Sequence, residues 1–238
     1  MREILNSRKR TVAYALIAIF MGIFNACHRN AAHGHSAAEH HMHRQSFEEL
    51  VKRFEDPARD QWQKPEAVIA LIATQIKKQK IASPVVADLG AGTGYFSFRL
   101  LDKGYSVKAL DLGDKFIAYL KERAAKHPRS SQIEIRKVTP ESANLKDGEV
   151  DVILSVDVYH HIENRTEYFR KLKSSLRGTQ PLLMIIDFKD GDIAVGPPAH
   201  IKVPTATIVA ELTAAGYKVT TDAKTLPYQN IFFATPQK

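Results

Sequence analysis

A glycine-rich turn between a short apolar run and a helix-like stretch is the feature that most constrains the fold of this chain. Residues 85–89 read VVADL, an apolar run typical of a buried strand, and they lead into Gly90, Gly92 and Gly94. Glycines at these positions let the backbone turn sharply and approach a ligand without a Cβ in the way. A strand that passes through such a turn into a helix predicts an α/β domain that binds a nucleotide-type ligand at the turn.

Strand-like apolar runs and helical stretches alternate along the rest of the chain. Strands are predicted over residues 84–90, 105–111, 132–138, 150–156, 181–187, 217–223 and 229–235. Helices are predicted over residues 94–103, 114–126, 163–177 and 205–215. This alternation is typical of a mostly parallel sheet with helices on both faces. We therefore predict an α/β fold with a Rossmann-like, doubly wound, seven-stranded sheet, mostly parallel, whose last strand is antiparallel.

Helices are also predicted in front of the first strand. Residues 46–49 (SFEE) have the capping-box pattern, and apolar residues follow at helical spacing until Pro57 ends the helix. A second helix is predicted to begin at Pro65, because proline suits the first helical turn. The predicted organisation therefore places N-terminal helices over residues 46–80 and the main domain over residues 81–238.

The beginning of the chain has the pattern of an export signal. Arginine and lysine side chains within residues 1–10 precede an apolar stretch over residues 11–26. This stretch is shorter than the roughly 20 residues that a membrane-spanning helix needs. We therefore predict a lipoprotein-type signal peptide over residues 1–26 rather than a permanent transmembrane anchor.

Cys27 is the single cysteine of the chain, and it directly follows the apolar stretch. Residues 24–27 (FNAC) resemble a bacterial lipobox, with Phe24 where leucine is usual. The resemblance implies a lipid anchor at Cys27 and a location at the cell envelope, on the periplasmic side. The residue after the cysteine is His28 rather than an aspartate. In lipoproteins of a Gram-negative host, this implies sorting to the outer membrane. The alternative is that Cys27 is an ordinary residue of a hydrophobic leader.

A histidine-rich stretch follows over residues 27–45. Six of the ten histidines lie in it: His28, His33, His35, His40, His41 and His43. The stretch is rich in alanine and has no hydrophobic period, so we predict a flexible tether. Clustered imidazoles can bind zinc, copper or nickel weakly, but no fixed acidic or thiol partner gives a defined geometry. A polar spacer is therefore the prediction, weak metal binding is the alternative, and no defined metal site is expected.

The formal net charge of +8 could favour an anionic partner. Lysine and arginine are scattered along the chain, however, and no dense basic run interleaved with aromatic residues is present. We therefore expect a solvated surface and no nucleic-acid partner.

The residues around the glycine turn discriminate between ligand classes. A dinucleotide fingerprint would need glycine where Tyr95 stands, so a dinucleotide-dependent oxidoreductase is disfavoured. Asp88 stands two residues before Gly90, where its carboxylate would repel a pyrophosphate and attract a cation. Asp111 ends the second predicted strand, where a carboxylate can accept two hydrogen bonds from a ribose diol. These features favour a nucleoside ligand with a positively charged end.

The spacing of these residues resembles that of the class I S-adenosylmethionine-dependent methyltransferases, over roughly residues 62–235. The resemblance implies S-adenosylmethionine as the cofactor, with the glycine loop at its methionine end, Asp111 on its ribose and Glu141 on its adenine. Glu141 stands in Pro-Glu-Ser where many relatives have Gly-Asp-Ala, so the alternative is that backbone groups hold the adenine. The cofactor-binding residues implied in this way are Asp88, Gly90, Ala91, Gly92, Gly94, Asp111, Leu112, Glu141 and Asp157.

The fourth predicted strand leads into residues 155–162 (SVDVYHHI), at the edge where open α/β sheets bind ligands. A histidine with a pKa near neutrality can take a proton from an attacking nucleophile. We therefore predict His161 or His160 as the catalytic base and Tyr159 as the residue that orients the acceptor. The alternative is that one histidine only packs in the fold, since methyl transfer does not require a base. Further candidates, either substrate contacts or surface residues, are Asp187, Lys189 and His200.

The segments VDVYHHI, DFK and VGPP resemble a subgroup of exported bacterial methyltransferase-like lipoproteins. The resemblance implies a methyltransferase that acts on a small or membrane-associated acceptor, with the N-terminal helices around Trp62 as a lid over the cofactor. An asparagine-proline-proline-tyrosine motif, found in many DNA-modifying relatives, is absent. Export conflicts with the synthesis of S-adenosylmethionine in the cytoplasm. The alternative prediction is therefore an envelope protein that binds a ligand or a metal on the same fold without catalysis.

Overall fold

The computed structural model describes residues 45–237. Three helices precede the sheet: α1 (Phe47–Phe54), α2 (Arg59–Gln63) and α3 (Pro65–Gln79). Helix α3 begins at Pro65, as its sequence predicts. Helix α2 is not predicted by the sequence, because its five residues are too few to show an apolar period.

The predicted capping box is present at the start of α1. The Ser46 hydroxyl accepts a hydrogen bond from the Glu49 backbone N–H at 3.2 Å, and the Glu49 carboxylate accepts one from the Ser46 backbone N–H at 2.8 Å. Two backbone donors that the first helical turn leaves unpaired are therefore satisfied, which fixes where α1 begins.

Seven strands and four further helices follow within the described residues. The strands are β1 (Val85–Leu89), β2 (Ser106–Asp111), β3 (Ile133–Lys137), β4 (Val152–Val156), β5 (Leu182–Phe188), β6 (Tyr217–Asp222) and β7 (Gln229–Pro236). The helices are α4 (Tyr95–Asp102), α5 (Asp114–Ala125), α6 (Arg165–Leu172) and α7 (Thr205–Ala214). Helix α6 is shorter than predicted, because Asn164 has a left-handed backbone (φ 49°) before it and a 3₁₀ turn at Lys173–Ser175 follows it.

The strands form one sheet in the order β3-β2-β1-β4-β5-β7-β6. All neighbouring pairs from β3 to β5 are parallel, whereas β7 is antiparallel to both β5 and β6. A short connection joins strands most readily in an antiparallel pair, so β7 turns back beside β6 and lies between β5 and β6. This confirms the predicted fold class, and the two edge strands are β3 and β6.

Each face of the sheet is covered by its own hydrophobic core. Val86, Leu154 and Met184 pack against α3 and α4 on one face. On the other face, Ile153 and Ile185 pack against α6 and α7. Neighbouring residues of one strand point to opposite faces, so a strand buried on both faces must be apolar throughout. This is the physical reason for the continuous apolar runs in the sequence.

The predicted signal peptide, the predicted lipid anchor at Cys27 and nearly all of the predicted histidine-rich tether lie outside the described residues. Within residues 45–237, no helix is long and apolar enough to cross a membrane. The same part of the chain contains no group of three or more histidine, cysteine, aspartate or glutamate side chains that could hold a metal ion.

Candidate active site

The parallel strands bring four acidic side chains to the carboxyl edge of the sheet. Asp88 lies in β1, Asp111 ends β2, Asp157 follows β4, and Asp187 lies near the end of β5. Because β1, β4 and β5 are neighbours and β2 is next to β1, residues far apart in sequence meet at this edge. Open α/β sheets bind their ligands at this edge, where the strand order reverses.

The glycine loop is tied to β2 and has the backbone shape that only glycine adopts readily. Gly90, Gly92 and Gly94 have φ values of 76°, 56° and 86°. The backbone N–H groups of Gly90 and Ala91 donate to the Leu110 carbonyl at 2.8 and 2.9 Å. A Cβ at Gly94 would lie 2.5 Å from the Phe98 ring, so a side chain here would displace α4. Backbone shape and packing therefore both require glycine at position 94.

Asp111 is almost buried and holds the turn together. One carboxylate oxygen accepts from the Gly92 N–H and the other from the Gly113 N–H, each at 2.8 Å. Burial raises the pKa of Asp111, and the amides of Gly113 and Gly92 oppose that shift. Each oxygen keeps a further lone pair for a ribose hydroxyl. The adjacent Leu112 is 41 % exposed, the one large hydrophobic side chain so exposed among the described residues, and offers a nonpolar surface for a flat base.

Asp88 is a buried carboxylate and Asp157 a half-buried one, and both have raised pKa values. Asp88 accepts from the Ser97 hydroxyl at 2.6 Å, and burial raises its pKa to about 6. Asp157 has an unusual left-handed backbone (φ 59°), accepts from the Gln229 side-chain amide, and has a pKa raised by burial to about 7. A buried carboxylate is costly without a cation nearby. The Arg59 guanidinium lies nearby, but the pKa values of both carboxylates remain raised, so this part of the edge favours a further positively charged group.

His160 and Asp187 form a buried hydrogen-bonded pair. His160 Nδ1 lies 3.0 Å from both Asp187 carboxylate oxygens, and the His160 backbone N–H donates to Oδ2 at 3.3 Å. Burial alone would lower the pKa of His160, but the charge of Asp187 and its hydrogen bond, with the charge of Asp157, raise it. Because Asp187 accepts the Nδ1 proton, Nε2 is the ring nitrogen that can take a proton from another group.

The two neighbours of His160 differ in their surroundings. The His161 ring is partly exposed, with its centroid 4.3 Å from that of His160. Tyr159 is fully buried, stacks on Phe169 at 5.1 Å and donates its hydroxyl to Glu211 at 2.7 Å. The structure therefore corrects the prediction for Tyr159, because its hydroxyl is bonded inside the core and is not available to orient an acceptor. The roles of His160 and His161 stay predictions.

Comparison with known proteins agrees with this geometry. Residues 87–182 match the family model of a methyltransferase domain. A SAM-dependent methyltransferase from Aquifex aeolicus is similar over 81% of this chain and 100% of its own, with 22% identity and a TM-score of 0.69. The glycopeptide N-methyltransferase MtfA, solved with S-adenosyl-L-methionine, is similar over 66% of this chain and 83% of its own, with 14% identity and a TM-score of 0.54.

Residues 87–182 contain a methyltransferase domain, and the fold around it is that of S-adenosylmethionine-dependent methyltransferases. This domain and fold agree with the predicted family, enzyme class and cofactor. A curated relative, the O-antigen chain terminator bifunctional methyltransferase/kinase WbdD of Escherichia coli, is 30% identical over 78 residues. That match covers 32% of this chain, and the chain spans 11% of the length of WbdD.

Three other predicted site residues lie outside the buried edge of the methyltransferase domain. Glu141 is exposed in a tight turn, where the backbones of Thr139 and Ser142 are hydrogen-bonded to each other. Lys189 donates to the Leu226 and Pro227 carbonyls at 2.9 and 3.0 Å, so it fixes a loop. His200 is exposed. The adenine contact of Glu141 and the substrate contact of His200 stay predictions.

The methyltransferase site also contains residues that sequence reasoning missed. Gln63 in α2 donates to Gln229 at 2.6 Å, and Gln229 donates to Asp157. Arg59, also in α2, lies 3.9 Å from the Asp157 carboxylate. The only sequence signal for α2 was Trp62, which lies within this helix. The centroid of the Trp62 ring lies 6.4 Å from that of Phe188. These contacts join α2 to the carboxyl edge of the sheet, and the lid stays a prediction.

Proposed function

We propose that this protein transfers a methyl group from S-adenosylmethionine to a small or membrane-associated acceptor that carries a proton on its nucleophilic atom. The observation that carries this proposal is the meeting of two groups at one edge of the sheet. The carboxylates Asp88, Asp111 and Asp157 suit a cationic nucleoside, and the His160–Asp187 pair beside them suits a proton acceptor.

The residues present fit S-adenosylmethionine. When bound, this cofactor supplies an electrophilic methyl group on a positively charged sulfur. The glycine loop gives close backbone approach, Asp111 can accept the two ribose hydroxyls, and Asp88 and Asp157 offer negative charge to the sulfonium and the amino group. The pyrophosphate of a dinucleotide would be repelled by the same carboxylates.

The His160–Asp187 pair can hold the proton that the acceptor loses. When the methyl group leaves the sulfonium sulfur for the acceptor atom, the carbon–sulfur bond would break to leave a neutral thioether, and His160 Nε2 would take the acceptor proton. Asp187 keeps the ring in one orientation through Nδ1 and stabilises the imidazolium that results.

Aromatic side chains lie on the acceptor side of His160. The ring centroid of Phe188 lies 6.2 Å from that of His160, and the ring centroid of Trp62 lies 6.4 Å from that of Phe188. These surroundings favour an apolar or aromatic acceptor.

We expect cofactor binding to strengthen as pH rises from 5.5 to 8. In the free protein the pKa values of Asp88 and Asp157 are about 6 and about 7, and a cation binds best to their ionised forms. Binding should therefore release protons, and the affinity should fall about tenfold or more toward pH 5.5. The measurement is calorimetric titration of the full chain in mild detergent with S-adenosylmethionine and, as a control, NAD. No binding of S-adenosylmethionine at pH 8 would refute the proposed function.

Replacement of His160 by alanine should lower methyl transfer about 100-fold and leave cofactor affinity within about twofold. Transfer is measured with methyl-labelled S-adenosylmethionine against a panel of phenols, amines and detergent-extracted membrane lipids. The matched control is His161→Ala, which removes the neighbouring ring but not the partner of Asp187. An equal loss in both variants would contradict the assignment of His160. Cofactor binding without transfer to any acceptor would favour the alternative, an envelope binding protein.

The location of the protein belongs to the same proposal. The cationic start, the short apolar stretch and Cys27 in a lipobox-like context support export and a lipid anchor at the envelope. The test is labelling of growing cells with a fatty-acid analogue, comparing the wild type with Cys27→Ser. Label on the variant, or none on the wild type, would rule out the anchor.

A further inference from the structure

Arg59 is a buried cation whose direct hydrogen-bond partners are neutral. Its side chain is 12% exposed. The guanidinium donates to the Phe54 carbonyl at 3.1 Å and to the Gln63 side-chain oxygen at 3.3 and 3.4 Å. Among the described residues, the nearest carboxylate oxygen forming an ion pair with it belongs to Asp157, 3.9 Å away. A buried charge is normally paired at hydrogen-bond distance, so this guanidinium has capacity for an anion.

Arg59 lies where the glycine loop enters α4. Its guanidinium carbon is 3.9 Å from the centroid of the Tyr95 ring, and Tyr95 directly follows Gly94. The Phe54 ring lies 3.5 Å from the position that a Cβ on Gly92 would occupy. The segment from Phe54 to Arg59 therefore covers the loop, and the Arg59 charge lies between that loop and Asp157.

A second set of contacts fixes α2 in this place. The Tyr95 hydroxyl donates to Asp60, the residue next to Arg59. Arg99 also donates to Asp60, at 3.0 Å, and its guanidinium carbon lies 3.9 Å from the Tyr95 ring centroid. Tyr95 thus contacts the guanidinium groups of Arg59 and Arg99, and its hydroxyl donates to the carboxylate of Asp60. These contacts hold α2 at the loop and use none of the five N–H donors of Arg59, of which three donate to Phe54 and Gln63.

The charges at this place match the two charges of a free amino acid. Asp88, which is buried, and Asp157, which is half-buried, provide negative charge, and both interact electrostatically with Arg59. An α-amino group suits the carboxylates, and an α-carboxylate suits a guanidinium, which can bind it with two parallel hydrogen bonds. We propose that Arg59 of α2 binds the α-carboxylate at the methionine end of S-adenosylmethionine. This inference rests on the proposed function, and it assigns to the N-terminal segment a direct part in cofactor selection.

The test compares S-adenosylmethionine with decarboxylated S-adenosylmethionine, which keeps the sulfonium, the adenosine and the amine. The full wild-type chain should bind the first ligand about 30-fold more tightly than the second. In Arg59→Gln, the affinity for S-adenosylmethionine should fall about 30-fold, and the affinity for the decarboxylated ligand should stay within about threefold. The preference for the carboxylated ligand should therefore disappear.

Two further variants keep the outcome interpretable. Lys103→Gln removes one exposed positive charge, paired with Glu66, and should leave both affinities unchanged. Arg59→Lys keeps the charge, so it should retain part of the preference even if Arg59→Gln unfolds. Equal loss of both ligands in the Arg59 variants, with thermal unfolding unchanged, would overturn the assignment and leave the proposed function intact. Failure of the wild type to bind either ligand would overturn both.

Discussion

Replacement of Gly90 by alanine is expected to remove about 2–6 kcal/mol of folding free energy. A non-glycine residue at φ 76° costs about 1–3 kcal/mol, and overpacking a filled site costs about as much again. A Cβ at this position would lie 2.2 Å from a methyl carbon of Val158, a β-branched side chain that cannot rotate freely. Because domains are stable by about 5–15 kcal/mol in total, thermal unfolding should show a large drop in the midpoint temperature.

Two matched variants separate backbone strain from the steric clash. Gly191 has a nearly identical φ of 75°, and a Cβ there would have no atom within 4 Å, so Gly191→Ala should show the backbone cost alone. The double variant Gly90→Ala with Val158→Ala should recover part of the lost stability. If Gly90→Ala and Gly191→Ala destabilise the protein equally, the close contact with Val158 is not the reason for glycine at position 90.

Replacement of Asp111 by alanine is expected to weaken S-adenosylmethionine binding by about 10²–10⁴-fold. The proposed bonds to two ribose hydroxyls are charge-assisted and contribute about 1.5–3 kcal/mol each. The variant also leaves the backbone N–H groups of Gly92 and Gly113 without their acceptor, so the glycine loop loses one of its ties to β2. The measurement is the dissociation constant from calorimetry at pH 8, with circular dichroism to verify folding.

The control for Asp111 is Asp114→Ala, which removes an exposed carboxylate of the same charge three residues away. Its affinity for the cofactor should match that of the wild type within about twofold. Asp111→Asn keeps the shape but exchanges one acceptor for a donor, so its loss should be smaller than that of alanine. A dissociation constant unchanged in Asp111→Ala would remove the ribose assignment.

Local sequence patterns were sufficient for most of the fold and for the glycine loop. The capping box at Ser46, the helix start at Pro65 and the seven strands follow from side-chain chemistry within a few residues. The loop follows from three glycines whose positive φ values are a local requirement. Asp88, Asp111 and Asp157 could be predicted as site residues because each occurs at or near the end of a strand.

Local patterns could not assign roles within residues 159–161. Adjacent residues in a short 3₁₀ turn point in different directions, and only packing decides which direction faces the core. Tyr159 enters the core and bonds to Glu211, 52 residues away, whereas His160 faces Asp187, 27 residues away. A prediction from sequence therefore finds the segment but cannot divide its three side chains between structure and chemistry.

The sequence by itself determined the fold class, the glycine loop and the acidic residues at the strand ends, because these depend on short-range periodicity and backbone conformation. The tertiary structure alone decided that Asp187 pairs with His160, and that Arg59 and Gln63 of an unpredicted helix join Gln229 at Asp157. Those contacts join residues up to 166 positions apart. The fold brings these distant residues together, and burial strengthens the electrostatic interactions between them. A local sequence pattern therefore cannot predict these contacts.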